Sequence, residues 1–531
     1  MPKLNDSIDA LIIGGGHNGL VCAFYLAKAG LKTHIYERRS IVGGAAVTEE
    51  FHPGFYNSTA SYTVSLLNPE VISDMGLRSN GLKFVKRPIS NFLPINDSTY
   101  LKLGGGLEKT QKEFRKFSAR DAERLPEYYK RIEAVADVLR DLSIKTPPNP
   151  SQGIKALGQA ALQLWPIAKK GNQVHRDLFN LFTKSARSFL DGWFENEHIK
   201  AAFGFDSIVG NFASPDTPGS AYVLLHHVFG EVDGEKGAWG HAIGGMGAIT
   251  QAMKISCEDL GVKIFTDASV QQVEVEDGQA AGIILESGEV VKARNIISNV
   301  NPALLYKKMI AQQHLNQEFI KGMDGYKNGS GTFRMNVALS ELPDFTALPG
   351  KKVCEHHQSG IVIAPTLDYM DQAYIEAKTH GWSQHPIIEM LIPSTVDHSL
   401  APAGQHVASL FCQQFSPSLP EGKSWHDHRL QAAETVINTV NQYAPNFKAS
   451  ILGSMILSPL DLEEKFGLIG GDIMHGHMSL DQMWAARPLL NHGNYRGPLK
   501  SLYMCGAGTH PGGGVTGLPG KNAAREILKD R

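Results

Sequence analysis

Residues 8–37 read IDALIIGGGHNGLVCAFYLAKAGLKTHIYE, and the architecture of the chain follows from this stretch. Ile8 to Ile13 make a short run suited to a buried strand. After the glycines, Leu20, Ala23, Phe24 and Ala27 recur at helical spacing. Gly30 suits the helix end, because glycine accepts the left-handed conformation needed there. KTHIYE then reads as a second strand closing on Glu37. Strand, tight turn, helix and strand in succession form the opening unit of a Rossmann-type fold. Gly14 permits the turn, Gly16 lets the backbone approach a pyrophosphate, and Gly19 lets the helix pack against the strand. His17 and Asn18, inside the turn, face the phosphates through their backbone, where the helix N-terminus offers unpaired N–H groups. A glycine-rich turn alone is a weak signal. Glu37 strengthens it, since a carboxylate about twenty residues on accepts from ribose hydroxyls and repels a 2′-phosphate. The reading is therefore a dinucleotide other than NADP.

The next element separates FAD from NAD. Six residues past Glu37 comes GGAAVT, Gly43 to Thr48. An NAD unit has no need of a second glycine pair there, whereas a flavoprotein chain must run back along an extended cofactor. Near the other end, LYMCGAGTHPGGGVTGLPGKNAAREIL (502–528) reads as strand, glycine-rich turn and helix. Its helix N-terminus, expected near Val515, is placed to face the ribityl chain or the flavin ring. FAD is favoured over NAD.

Bulk composition excludes several classes. The 531 residues carry 51 Lys and Arg against 53 Asp and Glu, so no basic surplus points to nucleic acid. The five cysteines, Cys22, Cys257, Cys354, Cys412 and Cys505, form no Cys-x-x-Cys pair, which argues against zinc and against a local redox dithiol. No apolar run reaches the length of a spanning helix. Only MPKLNDS precedes the first strand, leaving no room for a signal or transit peptide, and a cytoplasmic location is the expectation.

Between the two cofactor-binding ends the character changes. FSARDAERLPEYYKRIEAVADVLRDL (117–142) is amphipathic, with Ser118 placed as N-cap and Asp121 three residues on. IKALGQAALQLWPIAKKG and RDLFNLFTKSARSFLDGWF add helices of an inserted lobe. A helix over 247–260 precedes a β-meander, ASVQQVEVEDGQAAGIILESGEVVKARNIISN (268–299), which returns to a buried strand, NIISN. Further strands (TFRMNVAL, HVASLFCQQF) and a long helix near 424–443 follow. The fold class is α/β: a discontinuous FAD-binding domain (1–75, 237–304 and 491–531) interrupted by an α+β substrate domain with a helical lobe (76–236 and 305–490).

GGGHNGLVCAFYLAKAG, ERRSIVGGAAVTEEFHPGF, SPDTPGSAYVLLHH, GAWGHAIGGMGAITQAM, MSLDQ and GAGTHPGGGVTGLPGKNAA span nearly the whole chain. Together they resemble the phytoene desaturase/amine oxidase branch of FAD-dependent oxidoreductases, closest to the pyridine nucleotide-disulfide oxidoreductase domain-containing protein 2 family. The resemblance implies FAD held by Gly14, Gly16, Gly19, Glu37, Gly43, Gly44 and the C-terminal turn with Gly506, Gly508, His510, Gly513, Gly514 and Val515. It also implies Val270 near the adenine. Many relatives carry arginine directly after the Gly-Gly pair; here that position is Ala45, and Arg38 or Arg39 is the candidate substitute.

The reaction so implied dehydrogenates a hydrophobic, isoprenoid- or lipid-like small molecule by hydride transfer to flavin. Amine oxidation, flavin-dependent isomerisation and a flavin-stabilised interaction protein remain alternatives. Candidates for acid–base work are His226, His227, His475, His477 and His510, with hydrogen-bonded structural histidines as the competing reading. His475-x-His477 lacks a third ligand, so no metal is expected. Asp481 and Arg487 are candidates for shaping the pocket, with structural pairing as the competing and favoured reading. ALQLWPIAKK (161–170) sets a tryptophan beside two lysines, which suits contact with a membrane surface or, alternatively, core-facing helices of a cap. A homodimer is a further expectation that no particular residue carries.

Overall fold

The computed structural model describes residues 7–226 and 228–531. Its first sheet is built from strands β1 (Ile8–Ile13), β2 (Thr33–Tyr36), β3 (Lys263–Phe265), β4 (Val270–Glu276), β5 (Gln279–Leu285), β6 (Val290–Ser298) and β7 (Leu502–Met504). Five of them run parallel in the order β3-β2-β1-β6-β7. β6 belongs to two systems. Residues 290–292 pair antiparallel with β5, while Ala293 to Ser298 run parallel to β1, with Ile8 opposite Ala293 and Ile13 opposite Ser298. Only its last three residues, Ile296 to Ser298, are continuously buried, because only there do the two ends of the chain close over it.

Three helices cover this sheet: α1 (His17–Lys28), α2 (Met246–Asp259) and α3 (Leu518–Lys529). α1 starts three residues before the apolar repeat at Leu20 that announces it, directly on the glycine turn. Gly30 follows it at φ +85°, as the C-terminal stop requires. α3 starts at Leu518, later than the expected Val515, because Thr516 Oγ1 accepts the Leu518 N–H at 3.1 Å and Gly517 sits at φ +75°. α1 and α3 pack closely: a Cβ on Gly520 would lie 2.2 Å from the Asn18 carbonyl oxygen. In this layer Cys22 and Cys505, distant in sequence, have their thiols within hydrogen-bonding reach. Both are wholly buried and free, and burial pushes the Cys505 thiol far up, so the pair is packed core and not an exposed redox dithiol.

The second sheet has seven strands in the order Ile451–Leu457, Phe333–Leu339, His406–Phe415, Trp382–Leu391, Gly360–Ile363, Asn91–Pro94 and Tyr100–Leu103. All neighbours are antiparallel except Gly360–Ile363 with Asn91–Pro94. Alternation along His406–Phe415 sends Ala408, Leu410 and Cys412 into a core shared with the helix Trp425–Tyr443, and Phe411 into a core shared with the helical lobe. Both faces are therefore covered. The lobe's longest helix is Ala119–Ser143. Ser118 Oγ accepts the Asp121 N–H at 3.1 Å, the N-cap expected from its sequence. The Asp121 carboxylate does not reach back to it. It accepts the N–H groups of Glu195 and Asn196 at 2.9–3.2 Å and so pins the start of the next helix, Glu197–Gly204.

Candidate functional site

The turn after β1 is held from both sides. Gly14, at φ +94°, donates its N–H to the Tyr36 carbonyl, and Asn299 Nδ2 donates to the Gly14 carbonyl at 3.1 Å. A Cβ on Gly19 would lie 2.4 Å from that same carbonyl oxygen, so glycine is obligatory where α1 crosses β1. The second glycine pair lies directly against the first. Gly43 donates to the Gly15 carbonyl at 2.8 Å, and a Cβ on Gly44 would come within 3.2 Å of Gly16 Cα. Glu37 closes the arrangement: Oε2 accepts the Gly15 N–H at 2.7 Å and Oε1 accepts the Arg39 N–H at 3.0 Å.

Around these turns is a cavity of about 340 Å3. It is lined by Gly14, Gly16, His17, Asn18, Glu37, Arg38, Gly43, Gly44, Ala45, Val270 and His475 from the sequence-derived set. It is also lined by Arg39, Ser269, Asn299, Phe466 and Ala507. The cavity sits at the C-terminal ends of β1, β2 and β6, where open parallel sheets bind ligands. Four residues on its wall carry buried polar atoms with no protein partner: His17 Nε2, Asn18 Oδ1, Arg39 Nη1 and His475 Nδ1. Buried polar atoms are normally satisfied, so this set points to a polar ligand. Burial lowers the His17 ring to about 4, with its hydrogen bond to the Gly514 backbone opposing. Burial, aided by the nearby His17 and Arg487, lowers His475 to about 3. Both rings are neutral at pH 7 and each offers one donor and one acceptor. Where relatives carry arginine, Ala45 lines the wall and the Arg39 guanidinium stands nearby. Its Nη2 is paired with Glu49 at 2.6 Å and it lies over the Phe466 ring, leaving Nη1 for a ligand.

His475 is held by its surroundings. Tyr326 OH donates to its carbonyl at 2.6 Å. The buried Asp472 carboxyl accepts the N–H groups of Gly329, Met474 and Gly476 at 2.8–3.1 Å, and burial raises its pKa. Arg487 is buried and donates to the carbonyls of Met474, Gly476, Gln482 and Ala507. It thus ties the His475 loop to the C-terminal turn by hydrogen bonds to four carbonyls, a structural role.

Other residues fall elsewhere. Gly19 supports the turn from behind. Gly506 is pressed against the Asn299 backbone, Gly508 against Pro302 and Gly513 against Met474, so these three glycines seat the C-terminal turn and do not line the cavity. Gly514 and Val515 line a separate cavity of about 100 Å3 together with Tyr62 and Trp239. The His510 ring does not line the cofactor cavity. Its Nε2 lies 3.0 Å from the Leu142 carbonyl, anchoring the turn to the helical lobe, and burial lowers the ring to about 4. His477 donates its N–H to the Lys327 carbonyl, and Asp481 is half exposed and paired with Lys327 at 2.9 Å. His226 ends the helix Ala221–His226, its side chain outside the description; His227 lies outside the described residues. Among the described residues, Cys354, His356 and His357 bring their ligand atoms within 4.8 Å of one another, a grouping the sequence did not single out. Both ring nitrogens of His357 are already engaged, with the Cys354 N–H at 3.1 Å and the Pro343 carbonyl at 3.2 Å.

Sequence reasoning missed Asn299 and Phe466. Asn299 had a signal: it is the polar residue ending the buried strand NIISN, beside β1. Phe466 had none, since it reaches the cavity from a helix, Pro459–Phe466, of the interrupting segment.

A dinucleotide cavity on a parallel sheet, joined to a second sheet and a helical lobe, defines a flavin-dependent oxidoreductase. Comparison with known proteins agrees. Residues 19–332 match the family of flavin containing amine oxidoreductases. The pyridine nucleotide-disulfide oxidoreductase domain-containing protein 2 of Rattus norvegicus is 41% identical, over 99% of this chain and 94% of that protein. A limonene dehydrogenase component of Castellaniella defragrans is 25% identical over 98% and 94%. The structure of an oxidoreductase from Methanosarcina mazei superposes with a TM-score of 0.61 at 15% identity, covering 98% of this chain and all of the other. The chain belongs to the flavin-containing amine oxidoreductase family, and within it to that of pyridine nucleotide-disulfide oxidoreductase domain-containing protein 2. It is an FAD-dependent oxidoreductase. The unpartnered polar atoms and the two abutting glycine turns fit FAD, with Gly14–Asn18, Glu37, Gly43–Gly44 and Val270 as the residues that would hold it. Among the described residues, no helix is long and apolar enough to cross a membrane.

Proposed function

We propose that this chain dehydrogenates a hydrophobic small molecule, isoprenoid- or lipid-like in character. The observation that carries the reading is a cavity of about 870 Å3 between the helical lobe and the second sheet. Tyr128, Tyr129, Ile132, Phe203, Phe205, Leu224 and Val228 give it an aromatic and aliphatic wall from the lobe, and Leu103 adds to this from the sheet. Lys86, Arg87, Glu133, Asp206, Glu235, Lys236 and Glu389 give it a charged side as well, so the volume suits a drug-sized ligand with an apolar body against the lobe. Trp239 lines this cavity and also the smaller one that ends on Gly514 and Val515, so the two spaces share a wall leading to the C-terminal turn. Bound FAD supplies the acceptor for a hydride leaving the substrate.

The chain's own residues exclude water, orient the substrate and manage a proton. Glu389 accepts from Tyr62 OH at 2.5 Å and lies 3.6 Å from Arg87. Arg87 in turn donates to Thr63 Oγ1 and lies over the Trp239 ring. Burial, with the Glu389 charge adding, pushes the Asp206 carboxyl well above the usual carboxylate range. A carboxyl raised in this way is suited to holding a proton at its own oxygen. Glu389 faces Arg87, Glu235 pairs with Lys86 and Glu133 with Lys236, so these pairs leave no acidic surplus for an ammonium group, which counts against amine oxidation. The likeness to a limonene dehydrogenase component also supports an isoprenoid substrate.

The test is anaerobic titration of the flavin-loaded protein with isoprenoid hydrocarbons or alcohols and, separately, with amines. Bleaching of the flavin by the isoprenoids is the expected result. Bleaching by amines alone would overturn the substrate reading. Bleaching by neither would favour an isomerase or an interaction protein.

A further inference from the structure

The helix Ile154–Ala168 is turned inside out. Its protein-facing side carries Gln159 and Gln163, whose amides donate to the Thr146 carbonyl at 3.3 and 2.8 Å. Its outward side carries the apolar residues: Ile154 is 86% exposed, Leu157 71%, Leu162 80% and Trp165 61%, and Phe179 on the adjoining helix Asn172–Thr183 is 68% exposed. At 3.6 residues per turn, Ile154, Leu157, Ala161, Leu162, Trp165 and Ala168 fall on one face. A contiguous outward apolar stripe of this kind marks an interaction surface.

The charge pattern names the partner. Between Asp141 and Asp177 the chain contains no acidic residue, while it carries Lys145, Lys155, Lys169, Lys170 and Arg176. Lys155, Lys169, Lys170 and Arg176 are exposed, and Lys169 Nζ stands 5.2 Å from the centre of the Trp165 ring. A two-fold dimer centred on this helix would set these cations against their own copies with no carboxylate between them. A bilayer carrying anionic lipid satisfies both features: the apolar face enters the headgroup boundary and the lysines pair with the lipid charge. We propose that the helix Ile154–Ala168, with Phe179 beside it, docks this protein peripherally on anionic membranes.

The experiment is flotation of the full-length, flavin-loaded protein with vesicles of phosphatidylcholine alone and of phosphatidylcholine mixed with phosphatidylglycerol. Binding to the mixed vesicles is expected, decreasing as salt rises. At a factor of about five per cation, replacing Lys155, Lys169 and Lys170 together by glutamine lowers the partition coefficient on the order of a hundred-fold. Leu162→Ser combined with Trp165→Ser abolishes binding; both side chains are exposed, so the fold and flavin content stay unchanged. Failure to bind mixed vesicles at low salt overturns the proposal, as does equal binding by the variants. A dimer dissolved by Leu162→Ser and Trp165→Ser, with no vesicle binding, would assign the face to a second copy instead.

Discussion

Glu37→Gln perturbs the residue that ties the glycine turn after β1 to the segment following β2. In the parent its two oxygens accept one backbone N–H each, from Gly15 at 2.7 Å and Arg39 at 3.0 Å, in a site 5% exposed. Glutamine keeps the shape but turns one acceptor into an NH2 donor, which then faces an N–H. One buried backbone N–H loses its partner, at about 1–3 kcal/mol, and the surviving hydrogen bond loses its charge assistance, at about 1 kcal/mol more. The sum, about 2–4 kcal/mol, is a factor of roughly 30 to 1000 in an equilibrium constant. It divides between the stability of the apo-protein and its affinity for FAD, because the same turn must be ordered for both. Urea unfolding of the apo-protein gives the first share, and titration with FAD followed by flavin fluorescence gives the second. A variant that matches the parent in both measurements would show that Glu37 contributes no net hydrogen bonding to the turn, and the role given to it here would fall.

Gly19→Ala tests the helix–strand contact: the new methyl meets the Gly14 oxygen at 2.4 Å, so overpacking of about 1–3 kcal/mol outweighs a helix-propensity gain of up to about 1 kcal/mol, and the unfolding midpoint falls with flavin retention. Arg487→Met leaves four carbonyls in the loop and C-terminal turn without their donor; a loss of about 3–5 kcal/mol is expected in denaturant titration, and a stable, flavin-binding variant would contradict the role given to Arg487. His17, His475 and His510 are held at about 4, 3 and 4 by burial, so below pH 6.5 the unfolded chain binds protons that the folded one refuses. Stability is therefore full above pH 6.5 and falls as pH drops toward 4, each ring adding a slope approaching about 1.4 kcal/mol per pH unit; a melting temperature unchanged between pH 7 and 5 would count against it. Asp206→Asn keeps the shape of a carboxyl whose pKa burial raises but removes its proton-binding oxygen, so flavin content should hold while turnover of a proton-releasing substrate drops; an unaffected rate would remove Asp206 from proton handling.

The parts of this protein that were legible in the sequence are those whose signal is local. The turn Gly14–Gly19 with Glu37, the meander ending in NIISN, the capped helix after Ser118 and the C-terminal strand–turn–helix each announce themselves within about thirty residues, because backbone conformation and periodicity act at that range. The far wall of the cavity does not. Phe466 arrives from a segment hundreds of residues away, His475 stands out only as one of several candidate histidines, and the Cys22–Cys505 approach depends on β7 lying beside β6. Arg487 reads in sequence as a residue with a structural partner, but which partner is not legible: its partners are carbonyls, which every residue has and no pattern displays. The helix Ile154–Ala168 shows a different limit. Periodicity reveals that one face is apolar but not whether that face turns inward, so the same spacing fits a core helix of a cap and the outward helix found here.

The function of this protein depends on FAD being held in the cavity formed by the Gly14–Gly19 turn, Glu37 and the Gly43–Gly44 pair. The visible spectrum and flavin content of the purified full-length protein, before and after incubation with FAD, report on this without an intermediate step. A yellow protein carrying one FAD per chain is expected. A colourless protein that takes up no FAD, while folded by circular dichroism, would contradict it.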